Sequence, residues 1–509
     1  MAEREWREAS DLRRSTVLLT VIVTIAGVLR FWGIGAGIPY SVGVDEPEIV
    51  TRAIQMMRTG DYHPHFFDYP TFYIYVQLAV AVGWFMAGAI AGKWTELLQA
   101  SPWDFLVWGR AVTAILGTVT VVVVYQIGTR WGTRTALLAA AMMAFMPLHV
   151  RQSHYVLTDV PLTLLVTLAF MLSLRAHEQP RAGTFAWAGA AAGLAAATKY
   201  PGAIAFVLPL VAVWMTPAMR PSRAVAALAT IGAGALAFLI AAPYTVLDLP
   251  AFLNAFAKLS AYYSGGQTEP GWIVYAKHLR IIFQWPAFLL AMGGVVLAVV
   301  RATRGPGRVR WTLALAFPLL HFAFIAGQSL IFGRYLLPLV PFLCVLAAAA
   351  VVSGVSLLRR FDIPRAARTA LIVGLTAAAL VPSAVTAVNF DRGLSYRGTR
   401  GQAYDWIQTN VPKEAKIFSE AANLILPYHR SAQPIRMLTF KTYDRYVGEQ
   451  VDYLIASSAI YGPYFAEPHK YPHEYAAYRT IFEQAREVAR FTPENPLLSP
   501  EIRILKVSP

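Results

Sequence analysis

The chain has 509 residues, of which 56% are hydrophobic and only 14% charged, and its mean hydropathy is +0.47. Soluble globular proteins have about 45–50% apolar and about 25% charged residues, so this composition excludes a water-soluble enzyme, a disordered protein and a fibre. The net charge of +15 indicates basic cytoplasmic loops of a membrane protein rather than a nucleic-acid partner.

Apolar segments recur along the first three quarters of the chain. A membrane-spanning helix needs about 20 mostly apolar residues. The sequence predicts eleven spans, near residues 16–36, 111–129, 134–149, 160–175, 184–198, 203–217, 224–242, 284–300, 311–326, 335–355 and 369–388. The first of these spans is predicted to be a retained anchor, because its apolar run is too long for the core of a signal peptide.

The segment 70–92 is a further apolar stretch, and its placement decides the topology. If it lies in the membrane without crossing, most basic loop residues fall on the cytoplasmic side together with the N-terminus. If it crosses, every later basic loop moves outside. The positive-inside rule favours the first arrangement. We therefore predict a re-entrant or horizontal helix, a cytoplasmic N-terminus, an extracytoplasmic C-terminal domain, and a multi-pass protein of the inner (plasma) membrane.

The last part of the chain, residues 389–509, changes character to a mixture of helix-like and strand-like stretches. We predict helices over 401–410 and 471–489, and strands over 415–421, 451–458 and 501–507. The predicted organisation is an all-α polytopic membrane domain over 1–388 and a small extracytoplasmic α/β domain over 389–509.

An acidic loop follows the first span. Residues 37–110 hold seven acidic and four basic side chains in a protein that is otherwise strongly basic. Asp45 and Glu46 stand just past the end of the span, where paired carboxylates are candidates for general-base catalysis. Pro47 and the acids around it also fit an ordinary helix start, so helix capping remains an alternative.

Other ionisable residues stand at the outer ends of predicted spans, where such groups are functional candidates. Asp159 and His154 lie in the segment HYVLTDVPL, although an acid at a helix start also serves as a cap. Lys199 and Arg334 are basic residues on the side that otherwise avoids positive charge, which predicts a bound anion; snorkelling to the interface is the alternative.

Metal binding is a weaker alternative. The spacing of His154 matches no metal motif, and a single cysteine, Cys344, excludes a cysteine-based site. His63 and His65 form a His-x-His pair that fits a metal site or an aromatic interfacial anchor. We predict that no cofactor is required, with a divalent metal at the acidic site as the alternative.

Several motifs, taken in order, resemble the GT-C superfamily of polyprenyl-phosphate-dependent glycosyltransferases, especially the bacterial branch related to protein O-mannosyltransferases and the lipid A aminoarabinose transferase. The resemblance covers roughly residues 15–360. It is carried by Asp45-Glu46 after the first span, Asp68-Tyr69-Pro70 before an aromatic apolar helix, GRAVTAILGTVTVVVVYQIGTRWG, HYVLTDVPL, ATKYPG and GRYLLPLVP.

The resemblance implies a GT-C-like membrane domain that moves a sugar from a polyprenyl-phosphate donor to an acceptor hydroxyl on a lipid, glycan or protein. It maps the catalytic base or its close support to Asp45 and the second-loop acid to Asp159, and we predict that Glu46 assists them. Lys199 and Arg334 are predicted to stabilise the leaving phosphate. Further substrate-binding candidates are Asp68, Tyr69, His154, Tyr200 and Tyr335.

Two other functional classes compete with this interpretation. A transporter or flippase of a lipid-linked or anionic substrate would also explain the spans and charges, but transporters place their binding groups near the bilayer midplane. A membrane-anchored binding protein that works through residues 389–509 leaves the acidic loop unexplained. In every case membrane lipids are partners and nucleic acid is not.

Overall fold

The structure is a computed structural model that describes residues 2–38, 43, 45–100, 102–265, 269–304, 307–358, 361, 364–396, 398–421, 424, 426, 429, 431–493 and 499–508. The chain divides into two compact units. The helical unit consists of Met1–Ile34 and Glu48–Asn389, and the sheet unit consists of Gly35–Pro47 and Phe390–Pro509.

The described part of the chain up to residue 394 forms sixteen α-helices and several short 3₁₀ helices. The α-helices are α1 (Ala2–Phe31), α2 (Glu46–Thr59), α3 (Phe72–Ile90), α4 (Pro102–Gly128), α5 (Thr133–Ala144), α6 (Pro147–Gln152), α7 (Asp159–Glu178), α8 (Ala182–Thr198), α9 (Val207–Met215), α10 (Arg223–Ala241), α11 (Tyr244–Leu247), α12 (Leu249–Tyr263), α13 (Gly271–Thr303), α14 (Arg308–Ala326), α15 (Val340–Leu358) and α16 (Arg365–Leu394). The 3₁₀ helices span Leu97–Gln99, Thr129–Trp131, Tyr200–Phe206, Pro217–Ser222 and Gly333–Leu339.

The predicted spans coincide with helices. Within the described residues, nine helical segments are long and apolar enough to cross a membrane, which confirms a polytopic all-α membrane domain. Eight of the eleven predicted spans fall on these segments, and the other three fall on the shorter helices α5, α8 and the run Tyr200–Met215. The ninth segment is α3, whose 19 residues permit a crossing, so the predicted re-entrant placement stays a prediction.

Helices α7 and α15 form the centre of the helical unit. In the segment Gly333–Leu358, which contains α15, 83% of the most apolar stretch is buried. The corresponding share is 67% in α7 but only 22% in α1, α3 and α10. Phe342 of α15 stacks on Phe170 of α7, with ring centroids 4.6 Å apart, and on Phe317 of α14 at 5.4 Å. This packing holds the middle of α7, the helix that begins at Asp159, against α15.

Small residues bring α8 and α10 into close contact. Gly189 and Gly193 form a GxxxG pattern on α8, and both are buried against α10. A Cβ atom at Gly189 would collide with the carbonyl oxygen of Thr230, and one at Gly193 with the carbonyl oxygen of Gly234. Glycine is required at these positions because the two backbones touch, as in small-residue interfaces of membrane helices.

Helix α13 contains a kink that separates it into two parts. Gln284 has φ = 60° and ψ = 158°, outside the helical region, two residues before Pro286. Proline removes a backbone donor and restricts the residue before it, so the helix breaks here. The predicted span over 284–300 therefore corresponds to the second part of α13.

The sheet unit contains a five-stranded mixed sheet. Its further elements are α17 (Thr399–Asn410), β1 (Ile417–Ser419), β2 (Ala432–Pro434), α18 (Tyr443–Gly448), β3 (Tyr453–Ser457), α19 (Ser458–Ala466), α20 (Pro472–Gln484), β4 (Arg486–Phe491) and β5 (Ile502–Lys506), with a 3₁₀ helix at Leu438–Phe440. The strand order is β2-β1-β3-β5-β4; β1 is parallel to β2 and β3, and β5 is antiparallel to β3 and β4.

Alternate residues of these strands pack on opposite faces of the sheet. Ile417, Ile455 and Ile504 join one apolar cluster with α17, and Leu454 and Leu505 join the other with α18 and α20. This period of two is the one expected of a sheet covered on both faces. The α/β character and the three predicted strands are confirmed. The predicted helix over 471–489 is too long, because the chain leaves α20 at Gln484 and continues as β4.

Candidate active site

Asp159 is the first residue of α7, and its carboxylate is buried with only 3% of the residue exposed. Its Oδ1 accepts a hydrogen bond from Lys199 Nζ at 2.7 Å. Its Oδ2 lies 3.9 Å from Nε of Arg334. A carboxylate at a helix N-terminus is also favoured by the helix dipole. The structure thus brings three predicted site residues into one charged cluster.

The two cations come from extended or tightly wound segments rather than from regular helices. Lys199 is an extended residue between α8 and the 3₁₀ helix Tyr200–Phe206, and Arg334 lies in the 3₁₀ helix Gly333–Leu339. The Lys199 side chain is 11% exposed and the Arg334 side chain 20% exposed. Buried charges need compensation, and two cations share one carboxylate here. Two basic side chains thus lie beside one buried carboxylate, an arrangement that suits an anion.

A cavity of about 410 Å³ opens beside this cluster. Six of the predicted residues line it, namely Asp68, Tyr69, Asp159, Lys199, Tyr200 and Tyr335. The rest of the wall is largely apolar and includes Leu162, Ile204, Phe256, Leu259 and Phe324. An apolar cavity with a few converging polar groups is typical of a site for an amphiphilic ligand. Asp68 is solvent-exposed, so its charge is screened more than that of Asp159.

Aromatic rings surround the Lys199 ammonium. Its Nζ lies 4.6 Å from the centroid of the Tyr335 ring and 5.9 Å from that of Tyr69. The Tyr335 hydroxyl is 2.7 Å from the hydroxyl of Tyr263, and the Tyr200 hydroxyl donates to the carbonyl oxygen of Phe67 at 2.7 Å. These contacts fix the direction of the Lys199 side chain through cation–π attraction and ring packing.

Sequence reasoning missed several cavity residues, among them Phe256, Ser260, Tyr263, His321 and Gln328. Most lie on α12 and α14, where they have the appearance of ordinary apolar or interfacial positions. The motif GRYLLPLVP was a partial signal, because it contains Tyr335, the residue that contacts both Tyr263 and Lys199.

Asp45 and Glu46 belong to the sheet unit, whereas the cavity residues belong to the helical unit. Asp45 lies in a turn and is partly exposed. Glu46 is fully buried, and its Oε2 accepts a hydrogen bond from the backbone N–H of Gly43 at 2.6 Å. Glu46 thus turns back onto the backbone before α2, as a residue that fixes a helix start does.

The three histidines singled out in the sequence, His63, His65 and His154, are engaged by the protein itself. The ring nitrogens of His154 each lie 2.9 Å from a backbone oxygen, those of Val150 and Trp32, and His154 does not line the cavity. His63 Nε2 is 3.0 Å from Asp248, and His65 Nε2 is 2.9 Å from an Asp61 oxygen. Over the described ranges, no group of three or more His, Cys, Asp or Glu residues is placed to hold a metal ion.

Comparisons with known proteins give one family match and several similar structures. Residues 21–260 match the family described as dolichyl-phosphate-mannose-protein mannosyltransferase. The structure of ArnT from Cupriavidus metallidurans bound to undecaprenyl phosphate is similar, with a TM-score of 0.58 and 16% identity over 97% of this chain and 98% of that chain. The Archaeoglobus fulgidus oligosaccharyltransferase in its apo form gives a TM-score of 0.58 and 15% identity over 87% and 69% of the two chains. No curated protein sequence matches the chain.

The similarity to these structures shows that the chain has the GT-C fold. Residues 21–260 are similar to the protein mannosyltransferase family, and the similarity to ArnT extends over nearly the whole chain.

Proposed function

We propose that the protein transfers a sugar from a polyprenyl-phosphate donor to an acceptor hydroxyl on the extracytoplasmic face of the plasma membrane. The observation that carries this proposal is the cluster of Lys199, Asp159 and Arg334 beside an apolar cavity. A polyprenyl-phosphate sugar combines a long apolar chain with one negative phosphodiester charge. The apolar wall and the two cations of the cluster match these two properties.

The leaving group is the polyprenyl phosphate. As the bond between the anomeric carbon and the phosphate oxygen breaks, both bonding electrons go to the phosphate, and a second negative charge develops there. Lys199 and Arg334 stabilise this charge, and their preorganised positions make that stabilisation effective. Asp159 orients the Lys199 ammonium through the 2.7 Å hydrogen bond.

The acceptor hydroxyl loses its proton as its oxygen attacks the anomeric carbon. We assign Asp45 as the base that takes this proton, with Glu46 as its support, because a carboxylate within hydrogen-bond reach performs this role. Attack from the side opposite the leaving group inverts the anomeric carbon, as in inverting glycosidases. The acceptor is a lipid, a glycan or a protein.

The proposed topology follows from charge. An N-terminus in the cytoplasm, with residues 1–388 as the catalytic membrane domain and 389–509 outside, keeps the basic loops inside. Nucleotide sugars are confined to the cytoplasm, so an outward site favours a lipid-linked donor. No metal is needed for this chemistry if the two cations neutralise the leaving phosphate.

The test is sugar transfer by the purified protein in detergent from undecaprenyl-phosphate-linked sugars to an extract of cell-envelope acceptors. We expect a product with the opposite anomeric configuration to the donor, formed in the presence of a metal chelator. Transport of the lipid across a reconstituted bilayer without transfer to any acceptor would contradict the proposal.

A further inference from the structure

His321 is a buried polar residue of α14 that lines the cavity and that the proposed mechanism does not use. Only 2% of the residue is exposed. Its ring is stacked on Phe317, with centroids 5.1 Å apart and an angle of 19° between the planes. The packing therefore holds the imidazole in one orientation.

The hydrogen bonding of His321 fixes which nitrogen carries the proton. Its Nε2 lies 3.0 Å from the backbone carbonyl oxygen of Tyr335. A carbonyl oxygen only accepts, so Nε2 carries the N–H, and the neutral imidazole presents a lone pair at Nδ1.

Among the residues that the structure describes, Nδ1 of His321 has no hydrogen-bond partner although it is buried. Buried polar atoms are nearly always paired, because an unpaired one has lost its hydrogen bonds to water without replacement. An unsatisfied acceptor on a residue that lines a cavity points to a donor on the ligand of that cavity.

We propose that Nδ1 of His321 accepts a hydrogen bond from a hydroxyl of the sugar carried by the donor. This inference rests on the proposed function. The other parts of the donor do not fit, because a phosphodiester has only acceptor oxygens and the polyprenyl chain has no polar hydrogen. The sugar hydroxyls are the groups of the donor that can supply a proton to this lone pair.

His321 also has a structural contact, and the test must separate the two roles. Its Nε2 supports the backbone of Tyr335, next to Arg334. In His321→Gln, the amide nitrogen replaces Nε2 as donor to that carbonyl, and the acceptor at the Nδ1 position is lost. In His321→Asn, the amide oxygen replaces Nδ1 as acceptor, and the Nε2 donor is lost.

The experiment measures binding to the purified full-length protein of bare undecaprenyl phosphate and of undecaprenyl phosphate linked to mannose, glucose or arabinose. We expect His321→Gln to weaken binding of the best glycosylated ligand about 3- to 10-fold, the usual range for one hydrogen bond, and to leave binding of bare undecaprenyl phosphate unchanged. His321→Asn should retain more of the affinity for the glycosylated ligand than His321→Gln does.

Two results would overturn the inference. One is an unchanged affinity of His321→Gln for every glycosylated ligand. The other is an equal loss for bare and glycosylated ligands, which would make His321 a support for the phosphate site or for the fold. Failure of the wild-type protein to bind any of the four lipids would instead contradict the proposed function, so the two failures are distinguishable.

Discussion

The Asp159 carboxylate joins two cations from distant parts of the chain, and its pairing with Lys199 is largely shielded from water. Removal of one partner from a buried pair costs about 3–5 kcal/mol, because the other charge stays buried. We expect Asp159→Asn and Lys199→Met each to lower the stability of the protein in detergent. The double variant should be more stable than the sum of the two effects predicts, as thermal unfolding would measure.

The matched control is the pair formed by Lys277 and Glu269, which is solvent-exposed, with side-chain exposures of 58% and 43%. Exposed pairs contribute about 0–1 kcal/mol. In a double-mutant cycle of Lys277 and Glu269, the effects of the two single substitutions on stability should therefore be almost additive. Equal coupling in both pairs would mean that Asp159 and Lys199 are not a buried unit.

The role of Asp45 as base leads to a second prediction. Asp45→Asn keeps the shape of the side chain and its capacity to cap a helix, but it does not accept the proton. We expect a loss of turnover of about 10²–10⁴-fold with little change in donor binding, because the base acts on the acceptor. Turnover close to that of the wild type in a folded Asp45→Asn protein would show that Asp45 is a capping residue, and a selective loss in Asp159→Asn would transfer the role to Asp159.

At the residue scale, the sequence indicates charged groups better than uncharged ones. Lys199 and Arg334 could be predicted as site residues because they are basic residues at the outer ends of spans, against the positive-inside rule. His321 could not, because a histidine in an apolar helix has the pattern of a core residue. Its hydrogen bond to the backbone of Tyr335 forms only when the tertiary fold brings α14 beside that residue.

At the element scale, the contact between α8 and α10 depends on Gly193. Gly193→Ala places a Cβ against the backbone of Gly234, and overpacking of this kind costs about 1–3 kcal/mol. The control is Gly183→Ala on the same helix, where the space around the added Cβ is open among the described residues and alanine is the better helix former. We expect a lower melting temperature for Gly193→Ala and an equal or higher one for Gly183→Ala; equal melting temperatures would contradict the close contact.

A buried acid makes the sheet unit sensitive to pH. Glu420 follows β1 and is 1% exposed. Burial raises its pKa from 4.5 to about 7, although Tyr478 Oη and the backbone N–H groups of Leu438 and Ser457 donate hydrogen bonds to it at 2.7, 2.8 and 3.0 Å. Between about pH 4.5 and 7, the Glu420 carboxyl is therefore protonated in the folded state and ionised in the unfolded state.

The stability of the sheet unit should accordingly fall as pH rises through this window, by up to about 3 kcal/mol. Hydrogen exchange of β1 and β3 in the full-length protein, corrected for its intrinsic pH dependence, would measure this change. Glu420→Gln, which resembles the protonated acid, should remove it. A stability that is constant or rises from pH 5 to 8 in the wild-type protein would contradict the account.

The elements that the sequence predicts best are those whose pattern is local. The alternation in β1, β3 and β5 and the apolar runs of α4, α7 and α15 can be recognised without knowledge of their neighbours. The end of α20 was missed, whereas the predicted span over 284–300 begins at the break in α13. In α20 the strand β4 begins one residue after the helix's C-cap, and its register is set by pairing with β5.

At the scale of the whole molecule, topology is the main prediction. If α3 does not cross the membrane, Lys93→Cys after it and Lys413→Cys in the predicted C-terminal domain should be labelled from the same, outer side. The native Cys344 is buried, and its replacement by alanine gives a cysteine-free background. Labelling from opposite sides would mean that α3 crosses the membrane.

The central claim is that Lys199 binds the phosphate of a lipid-linked donor, and the affinity of the protein for undecaprenyl phosphate tests it most directly. Lys199→Met keeps much of the apolar stem and removes the charge, so one charge-assisted contact worth about 1.5–3 kcal/mol should be lost. We predict that the dissociation constant of Lys199→Met rises by at least about tenfold, while Lys277→Met, a change of the same type at an exposed lysine, leaves it unchanged. Equal affinities of Lys199→Met and the wild-type protein would contradict the claim.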